Sequence, residues 1–133
     1  MKKHVFILTS LIFTLFFCHA QSTEKRVFLY RIKSPNSSLI QTKLSINGQI
    51  VVFKNDSQKI LLLQTDSIKI DAVKKSLGKT SHLEEALKNG DNYFIIYPKK
   101  LDNTLMEVFV VEQVCKECYE ERIAKSKKIP KHQ

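Results

Sequence analysis

Residues 39–54 read LIQTKLSINGQIVVFK, and this stretch predicts a β-hairpin. In its first half, residues suited to a strand interior alternate with polar ones, as expected for a strand with one buried face. Asn47 and Gly48 follow, and both residue types tolerate the positive φ angles that a type I′ turn requires. The apolar residues after Gly48 return as the second arm. We therefore expect antiparallel strands over 39–46 and 49–54.

Segments of the same kind recur along the chain and are separated by residues that favour turns. Phe28, Tyr30 and Ile32 share one face of the first segment. The apolar run Ile60–Leu63 predicts a strand buried on both faces. Together the segments predict a mainly β protein, an immunoglobulin-like antiparallel β-sandwich. We expect about seven strands, at residues 26–33, 39–46, 49–54, 58–64, 68–73, 92–97 and 104–112.

Two segments predict helices. Ser81 and Glu84 have the spacing of a capping box, and the leucines that follow recur four residues apart, which predicts a short helix at about 82–89. A second helix is expected at the C-terminus, at about 114–125. Residues 126–133 are polar and basic, and we expect a disordered tail there.

The N-terminus has the order of a secretory signal peptide. A basic start, Met1–His4, is followed by the uncharged run Val5–Phe17, and the small residue Ala20 precedes a polar stretch. We expect a signal peptide over 1–20, cleaved between Ala20 and Gln21, and hence a periplasmic or extracellular protein. The run is shorter than the ~20 apolar residues of a membrane span, so no transmembrane anchor is expected after cleavage.

Cys18 raises a less favoured alternative, which is lipid attachment. Bacterial lipoprotein signals place small residues before the modified cysteine, whereas Phe16 and Phe17 precede it here. In either case the remaining length suits one domain, which we expect over 21–125 with the tail beyond it.

Several chemistries lack the residues they need. The chain has only three glycines, spread singly, so no glycine-rich phosphate-binding loop is present. Outside the leader only His82 and His132 remain, which leaves little material for a Ser-His-Asp arrangement or a four-ligand zinc site. We therefore expect no catalytic residue, metal or cofactor. The net charge is +9, but no aromatic residue follows Tyr119 in the basic tail, so we expect no nucleic-acid partner.

The sequence Cys115-Lys116-Glu117-Cys118 is the one pattern with chemical potential. A cysteine pair at a helix start can hold a reactive thiolate, as in thioredoxin-like proteins. The neighbouring Glu117 opposes thiolate formation, and few residues follow the pair. In an exported chain a disulfide is the favoured interpretation. Packing as reduced apolar side chains and a redox function are the alternatives that stay open.

Three stretches carry a resemblance to a known family. They are a strand that ends in Tyr-Arg, Val27–Arg31; the hairpin Leu44–Gln49 with its Ile-Asn-Gly turn; and Leu87–Ile95. Over residues 26–112 the chain resembles the bacterial exported family of domains of unknown function numbered 2846. It departs from the family pattern at 65–67, where a Pro-Gly turn is expected, and in the cysteine extension. The resemblance implies export and a small β-sandwich, and it carries over no catalytic residue, cofactor or substrate.

These observations favour an exported, non-enzymatic protein that binds a protein or a polymer at the cell envelope. An exposed sheet edge, or the loops at 34–38, 74–80 and 98–103, are the expected contact sites, because binding residues are often on loops held by a rigid scaffold. One alternative is a thiol–disulfide redox protein that uses Cys115 and Cys118. Another is an inhibitor or immunity-type protein that neutralises an envelope enzyme.

Overall fold

The computed structural model describes residues 24–35, 41–72, 82–100 and 107–129. Within these ranges the chain forms eight strands and one helix. The predicted signal peptide, the cleavage site at Ala20 and Gln21, and Cys18 lie outside them. The elements are β1 Lys25–Arg31, β2 Thr42–Ile46, β3 Gln49–Phe53, β4 Ser57–Leu63, β5 Ser67–Ala72, β6 His82–Ala86, β7 Gly90–Lys100, β8 Glu107–Val114 and α1 Lys116–Lys127.

The strands form two four-stranded sheets, so the predicted mainly β sandwich is confirmed. The first sheet has the order β4-β1-β7-β8 and the second has the order β3-β2-β5-β6. An immunoglobulin constant-type domain instead divides seven strands between its sheets, in a different order. Within the described ranges all paired strands are antiparallel except β1 and β7, which run parallel with Val27 opposite Asn92. The expectation of a wholly antiparallel sandwich is therefore wrong at this pair. A long crossover joins the two strands, and no local turn sets their direction.

The inner faces of the two sheets form the main core. Side chains alternate along each strand, so every second residue of β1, β2, β5 and β7 points into the space between the sheets. The residues of this core that are least exposed are Val27, Leu29, Leu44, Phe53, Ile68, Ile70, Phe94 and Ile96.

The helix adds a third layer on the outer face of the first sheet. Tyr30, Ile95 and Tyr119 form a second buried cluster between the sheet and α1, with Phe28 and Ile32 packed at its margin. The predicted shared face of Phe28, Tyr30 and Ile32 is thus confirmed, and it is the face that the helix covers. The predicted C-terminal helix is confirmed as well.

The predicted hairpin has the expected turn. Asn47 and Gly48 connect β2 to β3 with φ angles of 48° and 83°, as a type I′ turn requires. Asn47 also fixes the turn to β5, because its side-chain oxygen accepts a hydrogen bond from the Lys69 N–H at 2.8 Å.

The predicted helix at 82–89 is wrong. Residues 82–86 form β6, which pairs antiparallel with β5 and places Leu83 beside Ile70. The Leu87 N–H donates to the Asp66 carbonyl oxygen at 2.8 Å. A two-turn helix is marginal without packing, whereas a strand added to a sheet gains a full ladder of hydrogen bonds. Tertiary pairing therefore overrides the local helical pattern. Ser81, the proposed cap, lies outside the described residues.

Two further expectations are corrected. Ile60 and Leu62 are 54% and 60% exposed, so β4 is not buried on both faces. It lies at the edge of its sheet, and α1 packs mainly against β1 and β7.

The predicted tail begins too early, because α1 continues to Lys127 and Ser126 is buried. Residues 130–133 are outside the described ranges.

Candidate functional site

A partly open pocket of about 490 Å³ lies where the start of β7, the end of β8 and the first turn of α1 meet. Lys88 borders it just before β7 begins. The other residues that matter for its chemistry are Asp91, Tyr93, Gln113, Val114, Cys115 and Lys116. Cys115 is the member of this set with redox-active sulfur, and it belongs to the cysteine pair singled out in the sequence.

The structure brings Cys115 and Cys118 together at the start of α1. The structure pairs the two residues as a disulfide, as the sequence predicts. Cys115 is the N-cap residue of α1, and its Sγ accepts a hydrogen bond from the Cys118 N–H at 3.1 Å. Both residues are exposed. The alternative in which they pack as buried thiols on the inner stripe of the helix is therefore wrong.

Tyr119 anchors the first turn of α1 to the sheet. Its ring lies 5.1 Å from the Tyr93 ring and 6.3 Å from the Tyr30 ring, measured between ring centres. Gln58 on β4 donates a hydrogen bond to the Tyr119 hydroxyl at 3.0 Å. Burial raises the pKa of Tyr119 to about 12. The cysteine pair therefore sits on a helix start that is fixed by a buried aromatic cluster.

Asn92 fixes the other side of the pocket. Its side chain is buried and binds the backbone of Lys88 twice, accepting from the N–H at 2.8 Å and donating to the carbonyl at 2.9 Å. Gly90, with a φ of 87°, allows the tight turn that these bonds close. The backbone of Lys88 is consequently held in a defined position relative to β7.

The charges around the pocket do not cancel. The Asp91 carboxylate is occupied by Arg26, whose Nε donates to it at 2.6 Å, and by the Tyr93 hydroxyl at 3.3 Å. Lys116 lies 4.0 Å from Glu120, at exposed positions of the helix, where ion pairs are weak. Among the described residues no carboxylate lies within ion-pairing distance of the Lys88 ammonium. The rim of the pocket is therefore positively charged overall.

A second surface of interest is the outer face of β4. We call Ile60, Leu62 and the adjoining Phe28 the β4 edge patch. Ile60 lies opposite Phe28 and Leu62 lies opposite Arg26 on β1. Phe28 is half-buried and stacks on the Tyr93 ring with 5.0 Å between ring centres. The patch thus continues from the free edge of the sheet toward the pocket.

His82, the histidine considered for catalysis, lies on the exposed face of β6. Its Nδ1 is 2.6 Å from an Asp71 oxygen and its Nε2 is 3.7 Å from a Glu84 oxygen. The His82 side chain is 46% exposed. In the four described ranges no group of three or more His, Cys, Asp or Glu residues is placed to hold a metal ion. No helix in those ranges is both long and apolar enough to span a bilayer.

Sequence reasoning found only part of this site. It singled out Cys115 and Cys118, which the structure joins. It did not single out Lys88, Asn92 or Tyr93; the pair Asn89-Gly90, a residue combination that favours turns, is the signal that could have indicated the tight bend before β7. Nothing in the local pattern places this bend beside the start of a helix that begins more than twenty residues later.

Comparisons of the chain with family models, with curated proteins and with solved structures found no match. The resemblance to the exported family numbered 2846 therefore stays a prediction.

Proposed function

We propose that this chain is an exported, non-enzymatic protein that binds a protein or a polymer at the bacterial cell envelope through the β4 edge patch. The observation that carries the proposal is the exposure of two large apolar side chains, Ile60 and Leu62, on an edge strand. The apolar leader supports export, and the scarcity of catalytic side chains in the sequence supports a non-enzymatic role.

An edge strand is a suitable docking element because it offers unpaired backbone N–H and C=O groups. Among the described strands only β1 pairs with β4, so an extended segment of a partner can continue the first sheet. Natural edges are commonly guarded by charged residues. The single charged residue of β4 is Lys59, whose ammonium lies 5.8 Å from the centre of the Phe53 ring. The face that carries Ile60 and Leu62 has no charged residue from β4, and its polar residue, Gln58, is hydrogen-bonded to Tyr119.

The energetic contribution of the patch is moderate. Covering the exposed parts of Ile60 and Leu62 would contribute roughly 1 kcal/mol each, given about 25 cal/mol per Å² of buried apolar surface. Backbone hydrogen bonds along β4 would supply the register of the complex. A partner of this kind recognises the strand as a whole more than any single side chain.

The proposal is tested with a tagged, exported protein captured together with its partners from envelope fractions. Replacing both apolar residues, Ile60→Ser with Leu62→Ser, should strongly reduce recovery of a partner seen with the native chain, because a loss of about 2 kcal/mol weakens binding roughly 30-fold. Ile50→Ser is the matched control, since Ile50 is 65% exposed on β3, the edge of the other sheet. Cys115→Ser with Cys118→Ser should retain the partner. Unchanged recovery with the β4 double variant, or equal loss with Ile50→Ser, contradicts the proposal.

Export is tested separately by mass spectrometry of the protein from fractionated cells. A mature chain that begins at Gln21 is the expected result. If the chain instead begins at a lipid-modified Cys18, the protein is a lipoprotein and the predicted cleavage after Ala20 is wrong. Recovery of the intact chain from the cytosol alone would contradict export.

A thiol–disulfide exchange protein is the second candidate function. The exposure of both Cys115 and Cys118 at the start of α1 favours it, because a helix N-terminus stabilises a thiolate. After reduction, alkylation of Cys115 should follow a thiol pKa below the ordinary ~8.5. An ordinary pKa together with a disulfide that thiols reduce only in denaturant would exclude this candidate.

A further inference from the structure

We infer that the pocket beside Cys115 binds a small anionic thiol and directs its sulfur to that cysteine. The inference rests on the second candidate function, thiol–disulfide exchange, and names the class of substrate that would take part. It is carried by the pocket itself, by the exposed disulfide at its border and by two lysines at its rim. Among the described residues Lys88 has no carboxylate within ion-pairing distance, and the ion pair of Lys116 is the exposed one with Glu120.

The charges of the pocket select the sign of the ligand. Lys88 and Lys116 both border the pocket, and the one carboxylate among its lining residues, Asp91, is already paired with Arg26. Glu117 lies between the two cysteines in sequence but does not line the pocket. An anion would therefore meet the Lys88 ammonium and, beside it, the Lys116 ammonium, whose exposed ion pair with Glu120 is weak.

The dimensions and the walls fit a small molecule. A volume of about 490 Å³ lies within the range of small-ligand sites, ~300–1,000 Å³. Tyr93 and Val114 supply an apolar wall, and Gln113 supplies a polar group. A short aliphatic chain can lie along that wall with a carboxylate toward the lysines and a thiolate toward Cys115.

The reaction balances in two displacements. The bound thiolate attacks Cys115 Sγ, which forms a mixed disulfide as the bond to Cys118 breaks, and the electron pair leaves on the Cys118 sulfur. Cys118 lies in the first turn of α1, where the helix dipole stabilises a thiolate. A second thiolate of the same class attacks the ligand sulfur and releases Cys115 as a thiolate. Two thiols are oxidised to one disulfide, both cysteines are reduced, and the protons of the two thiols pass to the cysteines.

The test measures reduction of the folded full-length chain carrying Cys18→Ser, so that Cys115 and Cys118 are its only cysteines. The probes are 3-mercaptopropionate, 2-mercaptoethanol and cysteamine, which are anionic, neutral and cationic. Their second-order rate constants are compared after correction for the thiolate fraction and thiol pKa of each probe. At low ionic strength the anionic probe should react about three- to ten-fold faster than the neutral one, and the cationic probe should react slowest.

Two changes should remove this preference. Lys88→Gln with Lys116→Gln should bring the anionic and neutral rates together, whereas the control Lys99→Gln with Lys100→Gln, on the far end of β7, should not. Raising the salt concentration should have the same levelling effect without any substitution.

The two hypotheses fail in different ways. If 2-mercaptoethanol reduces the disulfide only after unfolding, thiol exchange itself is excluded. If all three probes react with no preference for the anion, or if the control pair of lysines changes the preference equally, the inferred substrate class is overturned while exchange stands.

Discussion

The hydroxyl groups of Tyr30 and Ser126 lie 3.1 Å apart, although 96 positions separate the two residues in the chain. The Tyr30 hydroxyl donates to the Asp56 carboxylate, which can only accept. Ser126 must therefore donate to Tyr30, and its oxygen accepts from the Lys33 N–H at 2.8 Å. This chain of hydrogen bonds ties the last turn of α1 to β1.

Removing the Ser126 hydroxyl, which is the middle of this series of hydrogen bonds, should destabilise the fold. Ser126→Ala leaves the Lys33 N–H without its acceptor, and we expect the free energy of unfolding to fall by about 1–3 kcal/mol. Urea denaturation measures the change. Ser67→Ala, at an exposed position of β5, is the control and should have little effect. Equal losses in the two variants would show that Ser126 contributes nothing specific.

Stability should decline in alkali. Burial, aided by the hydrogen bond to Asp56, raises the pKa of Tyr30 from 10.0 to about 12, and burial raises that of Tyr119 to about 12. The unfolded chain therefore loses these protons first. The stabilisation is complete below about pH 10 and is lost as the pH rises toward 12.

Urea denaturation at a series of pH values from 8 to about 11.5 would follow this loss. Tyr119→Phe removes one of the two groups and should make the alkaline decline shallower. A variant with the same slope as the native chain would contradict the assignment to Tyr119.

The turn between β2 and β3 should tolerate only residues that accept a left-handed backbone. A Cβ at Gly48 would meet no atom within 4 Å, so the penalty of a substitution comes from its φ of 83°. Gly48→Ala should lower the free energy of unfolding by about 1–2 kcal/mol. Gly48→Asn should lower it less, since Asn visits this conformation readily. Thermal unfolding of both variants measures the difference, and equal losses would refute the backbone explanation.

Acid should weaken the contact between Lys25 and Asp66. The Lys25 ammonium, on a side chain only 3% exposed, donates to the fully exposed Asp66 carboxylate at 2.7 Å. Its hydrogen bond and charge hold the pKa of Asp66 below the ordinary range. Because the folded pKa is the lower one, the stabilisation is present above the unfolded pKa and is lost as the pH falls through the folded value.

Asp66→Asn should therefore lower stability at neutral pH and flatten its decline below about pH 4. The control is Glu85→Gln, an exposed residue of β6. Chemical denaturation at pH 7 and at pH 3 compares them. An acid decline in Asp66→Asn as steep as that of the native chain would show that this pair does not contribute.

The sequence by itself determined the features that depend on near neighbours. The alternation of strand-interior and polar residues before Asn47 and Gly48 predicted the hairpin. Two adjacent residues that tolerate positive φ angles, next to a segment whose side chains alternate with a period of two, are compatible with few other structures. The C-terminal helix and the proximity of Cys115 to Cys118 follow equally from local spacing. The shared face of Phe28 and Tyr30 was predicted as well, although not what covers it.

Only the tertiary structure decided the features that depend on which strands meet. It made residues 82–86 a strand, because pairing with β5 outweighs a marginal two-turn helix. It placed β1 parallel to β7 and left Ile60 and Leu62 exposed at a sheet edge. It also brought Lys88 to the border of the Cys115 pocket. Each of these depends on contacts between segments far apart in the chain, for which a local pattern of residue types holds no information.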